Sequence, residues 1–386
     1  MLFVLNSLGA GGTEHSTAVL LPHLRDLGIE CRLVILSRDP EGPHGPEGDE
    51  AAVRDQGFDV VVLQSTRYLD RVRELRRIID DYRPEVVHTA LFEADQIGRL
   101  ATFRRPPRLV SSLVSTPYEP SRYADPDIRR WKLRAVELID TLTGRLFVDR
   151  FHAVSDGVAQ ANARALRIPS AKISVVERGR SAADLGARSV ERSQRVRASL
   201  AIDADAPVVL SVGRHEYAKA HDDLVRAIAR VVPDAPGLVV LIAGRQGRTT
   251  NALRSLISDL ELHDRVRLLG HRADVSDLMV AADLLVVSSR FEGTAGVALE
   301  AMALELPIVC TRLAGLQGIL DDGENSILVD VGQPDAMARA IINMLRDPEL
   351  AKNLSHRGRE DFEARFTLDS SARRMHDLYT SCLVDS

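Results

Sequence analysis

Short apolar runs bounded by turn residues alternate along this chain with stretches of helical spacing, and that alternation fixes the fold class before any motif is considered. Strands that read as continuous Val, Ile and Leu must be buried on both faces, which a parallel sheet covered by helices provides. In the first half the strands expected are Leu2 to Asn6, Cys31 to Leu36, Asp59 to Leu63, Glu85 to His88, Leu109 to Val114, Phe151 to Val154 and Ile173 to Val176. The segment from Ser181 to Asp205 turns polar and arginine-rich and reads as a linker with a short helix. A second series follows with Val208 to Val212, Leu238 to Ala243, Val266 to Leu269, Leu284 to Val287, Ile308 to Cys310 and Ile327 to Val329. With 386 residues the chain is too long for one ordinary core. Two Rossmann-like α/β domains facing across a cleft are therefore expected, with ligands at the carboxyl ends of the strands.

The segment SRFEGTAGVALEAMALELPIV, residues 289 to 309, carries the most chemistry. Val297, Ala298, Leu299, Ala301, Met302, Ala303 and Leu304 predict a helix that is apolar nearly all round, hence buried. Glu300 lies inside that run, and a carboxylate taken out of water requires a polar partner. Ahead of the helix, Gly293 to Gly296 expose backbone N–H groups at a positive helix start, a cradle for phosphate. A buried carboxylate beside such a cradle suits vicinal hydroxyls such as those of a ribose, and Glu292 adds a loop carboxylate. The competing reading is a core helix with an internally paired glutamate.

Two further motifs sit at strand ends. GAGGTEH, Gly9 to His15, follows the opening strand and precedes a helix from about Ser16 to Leu27. Its Gly11 and Gly12 permit close approach of a phosphate or sugar, or serve packing alone. In SVGRHEYAKAHDDL, Gly213 and Arg214 end a strand and Lys219 follows five residues later. Such a pair of cations suits a diphosphate, whereas Lys219 by itself fits a surface ion pair with Glu216, Asp222 or Asp223.

Composition removes other classes. A net charge of −5 gives a nucleic-acid role no bulk electrostatic support. Cys31, Cys310 and Cys382 have no metal-ligand spacing and read as reduced thiols, so no metal and no cofactor are implied and a cytoplasmic setting is expected. No apolar run approaches the length of a membrane span. Ile128 to Leu138 is basic and holds the only tryptophan; weighed as an interfacial helix, it reads instead as a solvated helix packed on its own domain. Arg71 to Asp81 reads as an ordinary amphipathic helix.

Together with VVHTALFEADQIGRLA, FHAVSDGV, LLGHRADVSDL and DGENSILV, these motifs resemble the retaining GT-B glycosyltransferases of family 4 over nearly the whole chain. The resemblance implies a Rossmann-like acceptor-binding domain over 1–182, a linker over 183–205, a donor domain over 206–365 and a C-terminal helix over 366–386 packing back on the first domain. It implies transfer of a sugar from a nucleotide-sugar, with UDP the favoured carrier, to a small-molecule, glycan or lipid-linked acceptor. Arg214 and Lys219 would hold the diphosphate, Glu300 the ribose, and Glu292 would lie near the donor sugar. Backbone around His271 and Arg272 would flank the base, and Gly244, Gly293, Gly296, Val297 and Ala298 would complete the donor site with Gly11, Gly12 and Gly213. Arg214, Lys219, Glu292, His88 and Tyr118 are the catalytic candidates, the last three as sugar or acceptor contacts. A front-face reaction without a metal is implied.

The chain departs from the family pattern at Ala90, Tyr118, Ala220 and the Glu177–Arg180 stretch. A nucleotide-sugar-binding pseudoenzyme and a sugar-nucleotide epimerase are the alternatives; a glycosidase pair at Glu292 and Glu300 would leave the diphosphate cations without a purpose.

Overall fold

The structure is a computed structural model and describes residues 1–9, 11–38 and 48–384. Ala10 of the GAGGTEH motif lies outside the described residues. The chain forms two compact units, Met1–Gly179 with Leu368–Ser386, and Arg180–Thr367.

The first unit holds a seven-stranded sheet in the order β3-β2-β1-β4-β5-β6-β7. Its strands are β1 (Leu2–Leu5), β2 (Arg32–Ile35), β3 (Asp59–Val62), β4 (Val86–Ala90), β5 (Arg108–Leu113), β6 (Arg150–Ala153) and β7 (Ile173–Val175). The second unit holds β8 (Val208–Val212), β9 (Val239–Ala243), β10 (Val266–Gly270), β11 (Leu284–Val287), β12 (Ile308–Thr311) and β13 (Ile327–Val329). Their order is β10-β9-β8-β11-β12-β13. Neighbouring strands in both sheets pair in parallel. Most strands coincide with apolar runs of the sequence, as two-sided burial requires, while β4, β5 and β6 also bury the polar His88, Ser112 and His152. The strand order reverses at β1/β4 in one sheet and at β8/β11 in the other, and those switch points are where α/β sheets offer a crevice.

The helix Leu368–Val384 buries Leu368, Ala372, Met375, Leu378, Tyr379 and Cys382 in the first unit, against the helix Gly12–Asp26. The spacing of those residues at three and four is what gives one helix face to the core.

The residues expected as a linker, 183–205, are an integral layer of the second unit. The helix Val190–Ser199 packs on the helix Val275–Ala281, and two of the arginines of this polar segment, Arg192 and Arg197, are spent on the unit's own groups. Arg197 donates to the carbonyls of Ala281, Ala204 and Ala206 and pairs with Asp283; Arg192 pairs with Asp277. A guanidinium has enough donors to satisfy several carbonyls at once, so an arginine-rich run can be structural.

The helix Arg130–Phe147 packs on its own unit, as expected. Its inner side meets the helix Phe92–Thr102, through Arg99 with Asp140 and Thr143. Its outer side leaves Trp131, Leu138, Ile139, Leu142 and Leu146 exposed.

Candidate functional site

In the second unit the predicted residues gather at the carboxyl ends of β8, β9 and β11. The main chain around β8 and β9 is unusually close. The Gly213 N–H donates to the Ala243 carbonyl at 2.8 Å, and a Cβ built on Gly244 would stand 1.9 Å from the Gly213 carbonyl oxygen. Only glycine fits at 244. The aliphatic part of Lys219 passes over Gly213, whose Cβ would meet Lys219 Cδ at 2.9 Å.

Lys219 Nζ forms an ion pair with Glu292 across the switch point. Ser289 Oγ donates to the same Glu292 oxygen at 2.8 Å, and Ser288 Oγ donates to the Lys219 carbonyl at 2.9 Å. Both ends of the pair are thus held from β11. Arg290, between them in sequence, binds Asp222 and Asp223 and covers the Tyr217 ring, which secures the loop that carries Lys219. Arg214 is exposed and makes no side-chain hydrogen bond or ion pair among the described residues. His221 donates from Nε2 to the Gly213 carbonyl at 3.1 Å; burial pushes its imidazole down to about 4, so it acts as a neutral donor that fixes the turn.

The helix Gly296–Ala303 starts beside this pair, buries Ala298, Leu299, Ala301, Met302 and Ala303, and has no side-chain cap. Truncating a residue such as Leu299 in such a core costs about 2–5 kcal/mol. Glu300 finds the partner its position required: Arg180 Nε donates to Glu300 Oε1 at 2.9 Å. Arg180 is 7% exposed, and its Nη2 lies 2.0 Å from where a Gly296 Cβ would stand, so the guanidinium rests on the helix start. Glu300 Oε2 receives no hydrogen bond among the described residues. Gly293 packs its carbonyl against Gly315, and Val297 is half-buried at the helix start. His271 is exposed after β10, while the Arg272 side chain is spent on Asp274, with Nε to Oδ1 at 2.7 Å.

The first-unit candidates behave differently. His88 lies in a buried chain of hydrogen bonds whose direction can be read from one end. His152 Nε2 donates to the Val176 carbonyl at 2.9 Å, which leaves Nδ1 to accept from Ser112 Oγ at 2.8 Å. Ser112 then accepts from His88 Nε2 at 2.7 Å, and His88 Nδ1 accepts from the Tyr379 hydroxyl at 2.6 Å. Burial holds both imidazoles neutral, His152 at about 4 and His88 well below its usual range. Tyr118 donates its proton to Asp140 at 2.8 Å, and burial together with that carboxylate keeps the phenol un-ionised. His88 and Tyr118, expected as sugar or acceptor contacts, are by this geometry members of interior networks. Gly11 and Gly12 open the helix Gly12–Asp26, but the Glu14 carboxylate folds back over Gly11, 2.1 Å from where its Cβ would be. A carboxylate on a helix start favours the dipole and disfavours a second anion there, against the phosphate-site reading.

Sequence reasoning missed Arg180. The available signal was a buried glutamate in need of a cation and a strand-end run, ERGR, with two to offer.

Two parallel-sheet α/β units, the second with a lysine–glutamate pair and an uncapped helix start at its switch point, define a doubly wound α/β class. The chain matches the family glycosyl transferases group 1 over residues 192–361 and the glycosyl transferase 4-like domain over 11–179. It belongs to the group 1 glycosyltransferases of family 4 type. It is 37% identical over 174 residues to the lipopolysaccharide core biosynthesis glycosyltransferase LpsE of Rhizobium meliloti (strain 1021), covering 45% of this chain and 50% of that protein. To the N-acetyl-alpha-D-glucosaminyl L-malate synthase of Bacillus anthracis it is 27% identical, covering 48% of each. The chain thus spans about half the length of these two relatives. A longer match, 28% identical over 334 residues, is to the D-inositol 3-phosphate glycosyltransferase of Thermobispora bispora, with 83% of this chain and 76% of that protein covered. Among solved structures, Anabaena Alr3699/HepE in complex with UDP has a TM-score of 0.83 at 20% identity, over 98% of this chain and 99% of that one. The fold is accordingly that of the GT-B glycosyltransferases.

Proposed function

We propose that the protein transfers a glycosyl group from a nucleoside diphosphate sugar, with UDP as the carrier, to a small-molecule, glycan or lipid-linked acceptor with retention of configuration. The observation that carries this reading is the Lys219–Glu292 pair beside the start of Gly296–Ala303. An isolated surface pair would need no such shared support from Ser288 and Ser289. The HepE complexes with UDP and with UDP-glucose support uridine diphosphate as the carrier.

In this reading Arg214 and Lys219 hold the diphosphate. Glu300 accepts ribose hydroxyls at Oε2, and Glu292 both positions Lys219 and faces the donor sugar. Backbone N–H groups of Gly296, Val297 and Ala298 meet phosphate oxygens, and main chain near Gly244, His271 and Arg272 flanks the base. In the reaction the bond from the anomeric carbon to the β-phosphate oxygen breaks. The acceptor oxygen bonds that carbon on the same face, and its proton passes to the departing phosphate. Negative charge grows on the diphosphate as the bond breaks, so the cations stabilise the transition state more than the ground state. They supply the charge neutralisation otherwise asked of a metal.

The test is a thermal-shift panel with UDP, GDP, ADP, dTDP and their sugar conjugates, on the wild type and Arg214→Ala. UDP at about 100 times its Kd adds about 2.7 kcal/mol, a shift of several degrees, and the variant loses it at the same concentration. No shift with any nucleotide would overturn the donor assignment.

A further inference from the structure

The helix Arg130–Phe147 is turned inside out relative to an ordinary surface helix, which gives its apolar stripe to the core. Of its 18 residues only Gly144 is buried, and its inner side is polar. There Asp140 pairs with Arg99 and accepts from the Tyr118 hydroxyl at 2.8 Å, while Glu137 accepts from the Tyr123 hydroxyl at 2.8 Å. The apolar side faces outward. Trp131, Ala135, Leu138, Leu142 and Leu146 recur every three or four residues and so share one exposed stripe. At the helical rise that stripe is about 22 Å long. Trp131 at one end is 66% exposed and Leu146 at the other 73%. Beside the second end the exposed Phe103 meets the Phe147 ring edge-on, with centroids 5.2 Å apart, and widens the patch. A contiguous apolar surface of this kind marks an interaction site.

The charges sort in the same sense. Both acids of the helix are spent on partners within the unit, whereas its exposed charged residues are Arg130, Lys132, Arg134 and Arg145, all cations. Arg129 just before the helix and Arg104 over the Phe103 ring add to them. Of the acids that flank the helix in sequence, Asp127 and Asp149, the second pairs with Arg108. A two-fold contact with a second copy would set these cations against their own counterparts, and the helix exposes no acid to meet them. An anionic lipid surface suits both halves of the pattern, since the stripe can enter the acyl boundary while long basic side chains reach the headgroup phosphates. No helix among the described residues is long and apolar enough to cross a membrane, so the contact would lie in the plane of the surface. We propose that the outer face of Arg130–Phe147 is a docking surface for an anionic lipid bilayer, with Trp131, Leu138, Leu142 and Leu146 entering it and Arg130, Arg134 and Arg145 at its phosphates. Docking of this kind stands whether or not the donor reading holds.

Trp131 is the only tryptophan of the chain, so its emission reports on this face alone. The experiment titrates the full chain with vesicles of equal parts phosphatidylglycerol and phosphatidylcholine, and with vesicles of phosphatidylcholine alone. Emission is expected to shift to the blue and to resist acrylamide quenching, at about tenfold less of the anionic lipid than of the neutral one. Leu138→Gln/Leu142→Gln raises the lipid required about tenfold with the anionic vesicles. Arg134→Gln/Arg145→Gln does the same, by about tenfold, and removes the preference over neutral lipid. Each variant is first checked by melting, and where one does not fold the wild-type titrations decide. Unchanged emission with both vesicles overturns the proposal, and so does an equal response to the two. Sedimentation with vesicles at unchanged Trp131 emission also overturns it, since the lipid contact then lies elsewhere. A blue shift without lipid that grows with protein concentration overturns it in favour of a second copy on this face.

Discussion

The two units share a parallel sheet with one switch point, yet they treat polar side chains at their strand ends in opposite ways. In the first, Tyr379, His88, Ser112 and His152 form a chain in which each proton has an acceptor and the last acceptor is a backbone carbonyl. Nothing in that chain can turn to a ligand without leaving a buried group unpaired, at a cost of about 1–3 kcal/mol. In the second, the strand-end groups are charged and paired in twos, Lys219 with Glu292 and Arg180 with Glu300, while Arg214 is exposed. A charged pair at a helix start can exchange its carboxylate for a phosphate. The same topology therefore yields a locked polar core on one side and an exchangeable one on the other.

The comparison breaks most visibly at Lys219. Lys219→Ala is expected to lower kcat/KM by about two to three orders of magnitude, the scale of losing one preorganised group facing developing charge. Its melting temperature should stay within a few degrees of wild type; steady-state kinetics and calorimetry decide, and an unaffected rate would put the pair among structural ones. Next in size is Gly244→Ala. Its Cβ would collide with the Gly213 carbonyl, so unfolding free energy should fall by about 3 kcal/mol in denaturant titration.

The third prediction concerns pH and belongs to the first unit. The buried His152 stays neutral to about 4, whereas in the unfolded chain it titrates near its ordinary value of 6.5. The unfolded state then binds the extra proton, so the stability from this residue is present above pH 6.5 and is lost as pH falls toward 4. Between pH 7.5 and 5 the loss is about 2 kcal/mol. Asp95, raised to about 6 by burial, works the other way, losing stability as pH rises from about 4 to 6. The readout is therefore the difference between wild type and His152→Gln, which should shrink by that amount on acidification. A constant difference would mean the chain is not locked in the neutral form. The smallest effect is at Ser155, which follows β6 and accepts from the Val158 N–H at 3.2 Å as a helix cap. Ser155→Ala should cost about 1 kcal/mol and leave kcat/KM unchanged.

The sheets were legible because two-sided burial writes most strands as apolar runs, and β11 with its LLVV stands out without any neighbour. The second-unit loops were legible for a similar reason: a strand ending in Gly213-Arg214 with Lys219 five residues on, and a glutamate inside an apolar helix, are local anomalies. What the sequence did not reveal were pairings set by the fold. Arg180 and Glu300 lie 120 residues apart, and His88 and Tyr379 are separated by 291. No periodicity encodes either contact. Arg192 and Arg197 misled in the other direction, since charge reads as solvent exposure until carbonyls at helix ends are known to need donors.

Amide hydrogen exchange with and without saturating UDP tests the central claim most directly. Protection is expected over residues 213–220 and 292–300, with the strands holding His88 and His152 unchanged. Protection confined instead to the start of Gly12–Asp26 would contradict the account, because the exchangeable anion site would then lie in the unit described here as locked.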